Sequence, residues 1–299
     1  MKVLISGASG FIGSYLSKRY IENKHDVIAL TRSAKNISPL TGFSDVVEYD
    51  YETKTLPKSV NNTDLVINLT GKNLVTRWTR SNKDIIYNSR VESTKYLVEG
   101  LSRLSSPPKM LVSSSAIGYY GDKDPTIKTE NSSNGIGYLP KLCLDWENAA
   151  LKAELFDIKT TTLRIGIVIS KLGGALPRML LPFKLGFGSK FGNGNQIWSW
   201  IHIEDLFRAV EYIRLNSITG PVNVVAPRPI SQSDFGKQLA QTINRPFIFT
   251  IPSILLKIVL GEMAIELLSS KTISPSLLSD HGFEFLYPDI KQAISAEIQ

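Results

Sequence analysis

The stretch VLISGASGFIGSYL, residues 3–16, decides the fold. A short apolar run passes without a linker into a helical pattern, and glycines fall at Gly7, Gly10 and Gly13. In a strand-turn-helix unit, the first such glycine makes the tight turn and the second lets the backbone approach a pyrophosphate. The third lets the helix pack on the strand. The helix N-terminus then supplies unpaired N–H donors and a partial positive charge. Three glycines at this spacing occur by chance, but here strand, turn, helix and chain position agree. The stretch therefore predicts a dinucleotide cradle made by Gly7, Ser9, Gly10, Phe11, Ile12 and Gly13.

Working outward, the next apolar run, DVIALTRS, ends in Thr31, Arg32 and Ser33, with no acidic residue. An Asp or Glu there would bond a ribose 2′-hydroxyl and repel a 2′-phosphate, whereas Arg32 can pair with that phosphate. The expected cofactor is NADP, with NADPH preferred over NADH. Asp50, after the third apolar run, is a candidate neighbour of the adenine. The segment NLTG, residues 68–71, ends the fourth run, and Leu69, Thr70 and Gly71 are expected to pass close beneath the cofactor.

The same alternation continues through the first 165 residues. Strand-like runs at KVLIS, DVIALT, DVVEYD, DLVINLT, KMLVSSS and TTTLRIGIVIS are separated by helical patterns, including 13–23, 80–103 and 140–156. Apolar runs with few polar interruptions suit strands buried on both faces, hence an α/β fold with a Rossmann-type doubly wound parallel sheet. From residue 171 the texture turns rich in glycine and aromatics and reads as a loop-dominated insertion. A helix at 203–215, a strand at GPVNVVAP and a helical tail from 231 follow. The expected division is a cofactor-binding domain of 1–170 and 201–226 with a smaller, discontinuous C-terminal substrate lobe of 171–200 and 227–299.

At 299 residues with 42% apolar content, the chain can bury a core of that size. The net charge of +7 is spread without a run of five basic residues, which argues against nucleic acid as a partner. The apolar stretch 251–270 carries Lys257, Glu262 and Glu266, so it reads as packed amphipathic helix and no membrane span is expected. No targeting segment is read at the start, and the single cysteine, Cys143, fits a reducing compartment; the expected location is cytoplasmic. His25 and His281 stand apart from convergent Cys, Asp or Glu spacing, so no metal site is predicted. The expected partner is a small-molecule substrate, with a homodimer left open.

The motifs GASGFIG, NLTGKNL, SRVEST, SSSAIGYYGD, LCLDWE, GGALPRMLLPF, WSWIHIEDL and GPVNVVAP together resemble the extended short-chain dehydrogenase/reductase superfamily. The resemblance is to its atypical epimerase-family group, nucleotide-sugar epimerase-like, some members of which carry the label cell-division inhibitor. It covers nearly the whole chain. It implies a Rossmann fold, NADP(H) binding, and oxidoreductase or epimerase-like chemistry on a substrate not generally established. In related extended enzymes the fifth strand ends in a substrate-bonding hydroxyl followed by Tyr-Gly. Carried onto SSSAIGYYG, this implies Ser114 or Ser115 as that hydroxyl and Tyr120 as a catalytic phenol. His202, in WSWIHIEDL, is expected to cap or bridge elements.

One departure concerns GYLPKLCLDWE, residues 137–147. The usual dyad is Tyr-x-x-x-Lys, four residues apart and on nearly one helical face, but Lys141 follows Tyr138 by three, about 100° further round. The apolar spacing of Leu139, Leu142, Cys143, Trp146, Ala150 and Ala153 marks the inward face, so the inward i,i+4 pair is Leu139 and Cys143. Lys141 then reads as a surface partner of Asp145. Two functions stay open: an oxidoreductase using another proton donor, such as Tyr119, Tyr120 or Ser114, and a non-catalytic dinucleotide-binding sensor or assembly protein.

Overall fold

The computed structural model describes residues 1–36, 41–49, 54–122 and 126–298. Strands β1 (Lys2–Ser6), β2 (Asp26–Thr31), β3 (Asp45–Glu48), β4 (Leu65–Asn68), β5 (Met110–Ala116), β6 (Lys159–Ile165) and, later in the chain, Gly220–Val224 build one seven-stranded sheet. Between the last two lie β7 (Ile167–Ile169), β8 (Gly188–Phe191), β9 (Ile197–Trp198) and β10 (Trp200–His202), which makes Gly220–Val224 β11; β12 (Ile230–Ser231) and β13 (Phe247–Ile251) follow. The sheet order is β3-β2-β1-β4-β5-β6-β11, with every pairing parallel. The order reverses at β1, where the crevice beyond the strand ends is a ligand site in such sheets.

Both faces of the sheet are covered, as the uninterrupted apolar runs require. Val3 and Ile5 face a cluster with Leu16 and Tyr20 of α1 (Phe11–Glu22). Leu4, one residue out of phase, faces Leu97 and Leu101 on the other side. The helix expected over 80–103 is a continuous run in three parts: α2 (Arg80–Tyr87), a π-helical turn Asn88–Glu92, and α3 (Ser93–Ser102). α4 (Tyr138–Leu151) buries Leu139, Leu142, Cys143, Trp146 and Ala150, the face marked by spacing.

A second apolar cluster, with Ile169, Phe183, Trp198, Trp200, Phe235 and Ile294 at its centre, forms the lobe. It joins α5 (Leu176–Lys184), α7 (Gln232–Thr242) and the last helix, α11 (Ile290–Ile298), to the β7–β10, β9–β12 and β8–β13 pairs. Helix α6 (Ile203–Leu215) returns to the main core, and Leu278 and Phe283, after the short α10 (Ser276–Asp280), pack there as well.

Three sequence expectations change. The run TTTLRIGIVIS is two strands, because Gly166 breaks it where a Cβ would come 2.7 Å from the Ser199 carbonyl oxygen; β7 turns away to pair with β10. The 171–200 insertion is not mainly loop, since it contains α5, β8 and β9. The C-terminal tail is not wholly helical: FIFTI is β13, its aromatic and β-branched residues suiting a strand. Helices α8 (Ser253–Leu260) and α9 (Met263–Leu268) follow it. Among the described residues, no helix is long and apolar enough to cross a membrane.

Candidate active site

At the β1 switch point, Gly7 adopts φ +84° and Gly10 N–H donates to the Gly7 carbonyl at 2.9 Å. A Cβ at Gly7 would meet the Leu69 backbone at 2.9 Å, and one at Gly13 would lie 2.1 Å from the Gly7 carbonyl oxygen. These contacts press β1, the turn, α1 and the end of β4 together, so two of the glycines are required by space. Gly10 precedes α1, whose first turn has no side-chain cap and no acidic residue. Its leading N–H groups thus keep free donor capacity toward the crevice, the arrangement suited to a phosphate.

The crevice is a cavity of about 590 Å³. Gly7, Ser9, Gly10, Thr31, Arg32, Leu69, Thr70 and Gly71 line it. Ser6 and Thr70 hydroxyls lie 2.6 Å apart and Leu69 N–H donates to the Ser6 carbonyl, tying the floor to β1. Arg32 is exposed, and among the described residues no carboxylate pairs with it. Asp50 lies outside the described residues. Phe11 and Ile12 line the neighbouring cavity instead, and Gly13 serves packing. Sequence reasoning missed the opposite wall, where Ile85, Asn88, Ser89, Glu92 and Tyr96 come from the π-helical turn and its flanks.

The second cavity, about 720 Å³, adjoins the first at Asn73 and lies between the main sheet and the lobe. Its walls are mainly apolar, from Phe11, Leu139, Leu142, Trp146, Met179 and Trp198 among others. Gly173 and Gly174 lie so close to the Phe11 ring that a Cβ would come within 2.5 Å and 3.0 Å of it, which accounts for the glycine pair in GGALPR. Leu139 and Cys143, the inward i,i+4 pair of α4, both line this cavity. Burial pushes the Cys143 thiol up to about 12, and nearby Glu147 adds to the shift, so the thiol is held protonated. Tyr138 instead donates to the Lys83 carbonyl at 2.9 Å, and the Lys141 ammonium lies on the exposed face, 2.9 Å from Asp145.

The hydroxyl candidates Ser114, Ser115, Tyr119 and Tyr120 line neither cavity. Tyr120 is buried; its hydroxyl donates to Asn223 Oδ1 at 2.6 Å and accepts from Arg164 Nη1 at 2.9 Å. Burial raises its pKa to about 12, despite lowering by Arg164 and Asn223. Arg164 also makes two bonds of 2.9 Å to the Glu147 carboxylate, which accepts from Ser115 Oγ at 2.7 Å. Ser114 is buried within β5. The sequence alone reads these groups as reactive hydroxyls at the end of β5; the fold joins Tyr120 and Ser115 to Arg164, Glu147 and Asn223 in a buried polar network. His202 caps α6, its Nδ1 accepting from Glu204 N–H, and its Nε2 lies 3.0 Å from Glu297. That matches the bridging role expected.

Two ionisable features on the second cavity were not foreseen. Lys271 reaches Glu266 at 2.5 Å and Ser269 at 2.7 Å from the lobe wall. Arg90 comes from the π-helical turn and is 9% exposed. A signal for Arg90 existed in the sequence, since it falls in the inward stripe Ile86, Arg90, Thr94, Leu97, Leu101, where a charge is out of place.

The family model described as NAD dependent epimerase/dehydratase family matches residues 3–225, and a domain of unknown function, DUF1731, matches 251–297. The chain is 36% identical over 305 residues to the chloroplastic epimerase family protein SDR39U1 homolog of Arabidopsis thaliana, covering 100% of this chain and 87% of that protein. It is 31% identical to the epimerase family protein YfhF of Bacillus subtilis, covering 99% and 97%. Among solved structures, human epimerase family protein SDR39U1 (isoform 2) with NADPH superposes with a TM-score of 0.88 at 28% identity over 99% of both chains. Glycine cradle, strand order and relatives agree: the chain belongs to the NAD dependent epimerase/dehydratase family.

Proposed function

We propose that this protein is an NADPH-dependent oxidoreductase of the extended short-chain type, acting on a small carbonyl compound without the Tyr-x-x-x-Lys dyad. The observation that carries the reading is the uncapped start of α1 above the Gly7–Gly13 turn, next to an Arg32 that has no carboxylate partner among the described residues, and open to an apolar cavity. The α1 N–H groups would hold the pyrophosphate, Arg32 the 2′-phosphate, and Leu69–Gly71 the face below. The NADPH of the human relative supports the choice of cofactor. When bound, that cofactor would supply a hydride equivalent.

The chain's own part is to exclude water and provide a proton. The apolar walls do the first. For the second, Lys271 has three N–H donors, of which Glu266 and Ser269 occupy two, leaving one for a substrate oxygen on the cavity side. Leu139 and Cys143 stand where a dyad would face the cavity, and Cys143 is held protonated. We place the protein in the cytoplasm on the strength of its single buried thiol.

The test is calorimetric titration with NADPH and NADH, on the unaltered protein and on Arg32→Asp. Tighter binding of NADPH, with the preference reversed in the variant, supports the reading. Equal affinities in the unaltered protein would refute the role of Arg32.

A further inference from the structure

We infer that the second cavity selects an organic carboxylate with an apolar body, and that Arg90 receives the carboxylate. The inference rests on the reading of that cavity as the substrate site and adds the substrate's chemical class.

Arg90 carries a charge that burial disfavours, its pKa being lowered by desolvation, yet among the described residues it has no carboxylate partner. Among the described residues its guanidinium makes one hydrogen bond, a long one, 3.4 Å from Nη1 to the Ile86 carbonyl. Trp146 lies under the guanidinium, 5.3 Å from Cζ to the ring centroid, and Gly71 closes another side, where a Cβ would come 3.0 Å from Cζ. Nε and Nη2 are left without an acceptor among the described residues. An uncompensated buried cation is costly, and an anion arriving in the cavity removes that cost. The planar fork of Arg matches a carboxylate in two parallel bonds.

The other charges around the cavity favour the same sign. Arg178 is exposed on its rim, with no carboxylate paired to it among the described residues. The carboxylate of Glu266 is engaged by Lys271. The walls set the rest of the ligand. Leu139, Leu142, Met179 and Met263 offer no hydrogen bonds to hydroxyl groups, and the Trp146 N–H is committed to Thr94 at 3.0 Å. The Trp198 ring packs on Phe191 and Phe235. A polyhydroxylated sugar would lose its hydration on such walls without replacement, whereas an alkyl or aryl acid would not.

The experiment uses the full chain, with and without NADPH, and three probes: 3-phenylpropionate, its neutral analogue 3-phenylpropanamide, and inorganic phosphate. Binding is followed by calorimetry and ligand-observed NMR. The expected result is acid binding at least tenfold tighter than amide, lost tenfold or more in Arg90→Gln and only partly restored in Arg90→Lys, with NADPH affinity unchanged. Equal binding of acid and amide would overturn the proposal. So would phosphate binding that competes with NADPH and disappears in Arg90→Gln, because Arg90 would then serve the cofactor. Should Arg90→Gln fail to fold, the acid–amide contrast in the unaltered protein decides alone. Failure of NADPH to bind would sink the oxidoreductase reading but not the acid–amide contrast, which is measured without cofactor as well.

Discussion

Replacing Tyr120 by Phe separates a catalytic phenol from a structural one. The substitution deletes one buried oxygen and leaves the ring in its cluster with Ile117, Val225 and Ile273. Arg164 Nη1 keeps a second acceptor, the Glu130 carbonyl at 3.1 Å, so the loss falls on Asn223 Oδ1, which forfeits a 2.6 Å bond. Asn223 Nδ2 still donates to the Ser274 carbonyl, so the side chain keeps its orientation. One buried acceptor left unsatisfied costs about 1 to 3 kcal/mol. With an unfolding entropy of roughly 2 cal/mol/K per residue, that lowers Tm by on the order of 2 to 5 °C for a chain of this size. NADPH affinity should not change, because Tyr120 lines neither cavity. Thermal unfolding by circular dichroism and an NADPH titration check both parts. An unchanged Tm with turnover reduced by about 10²-fold or more would refute the reasoning and restore Tyr120 as an acid catalyst.

Other expectations follow from the same geometry. Gly13→Ala puts a Cβ 2.1 Å from the Gly7 carbonyl oxygen and should cost at least the roughly 1 to 3 kcal/mol of ordinary overpacking while abolishing NADPH binding; a normal urea midpoint and affinity would contradict this. Glu147→Leu strands the Arg164 charge, both side chains being 5% exposed or less, and should destabilise by about 3 to 5 kcal/mol; the double variant Glu147→Leu, Arg164→Leu should recover part of the loss in chemical denaturation. Burial would push Glu297 up, but bonds from His202, the Lys171 amide and Ser170 outweigh it and hold the carboxyl below its usual range. Its stabilising contribution is therefore full above the ordinary carboxylate value and is lost as pH falls through the lowered one. Glu297→Gln should accordingly flatten the acid limb of Tm against pH, and parallel limbs in both proteins would contradict the assignment.

The cofactor half of the molecule was legible because its signals are local. Gly7, Gly10 and Gly13 sit within seven residues, and the turn they make is fixed by contacts with the adjoining strands. The register of α4 was legible too, since Leu139, Cys143 and Trp146 share one face at helical spacing, and Lys141 emerged beside Asp145 as expected. The buried polar network and the second cavity were not. Tyr120, Arg164, Glu147 and Asn223 converge from 120, 164, 147 and 223, and no spacing rule joins an oxygen on a 3₁₀ turn to an amide on β11. Arg90 was signalled only as a charge in an inward helical stripe; its place on the cavity wall comes from a π-helical turn, which the sequence does not announce. Lys271 reaches the cavity from a lobe whose strands pair across wide sequence gaps, as β8 with β13 does.

The most direct test of oxidoreductase function is transfer of label from NADPH. The protein, supplied with NADPH deuterated at the nicotinamide C4 and a deproteinised metabolite extract, should yield NADP⁺ and a reduced product one mass unit heavier than the product made from unlabelled NADPH. Lys271→Met should suppress that product by about 10²-fold or more while leaving NADPH affinity intact. Tight NADPH binding with no deuterium in any product would contradict the account and identify the protein as a dinucleotide sensor.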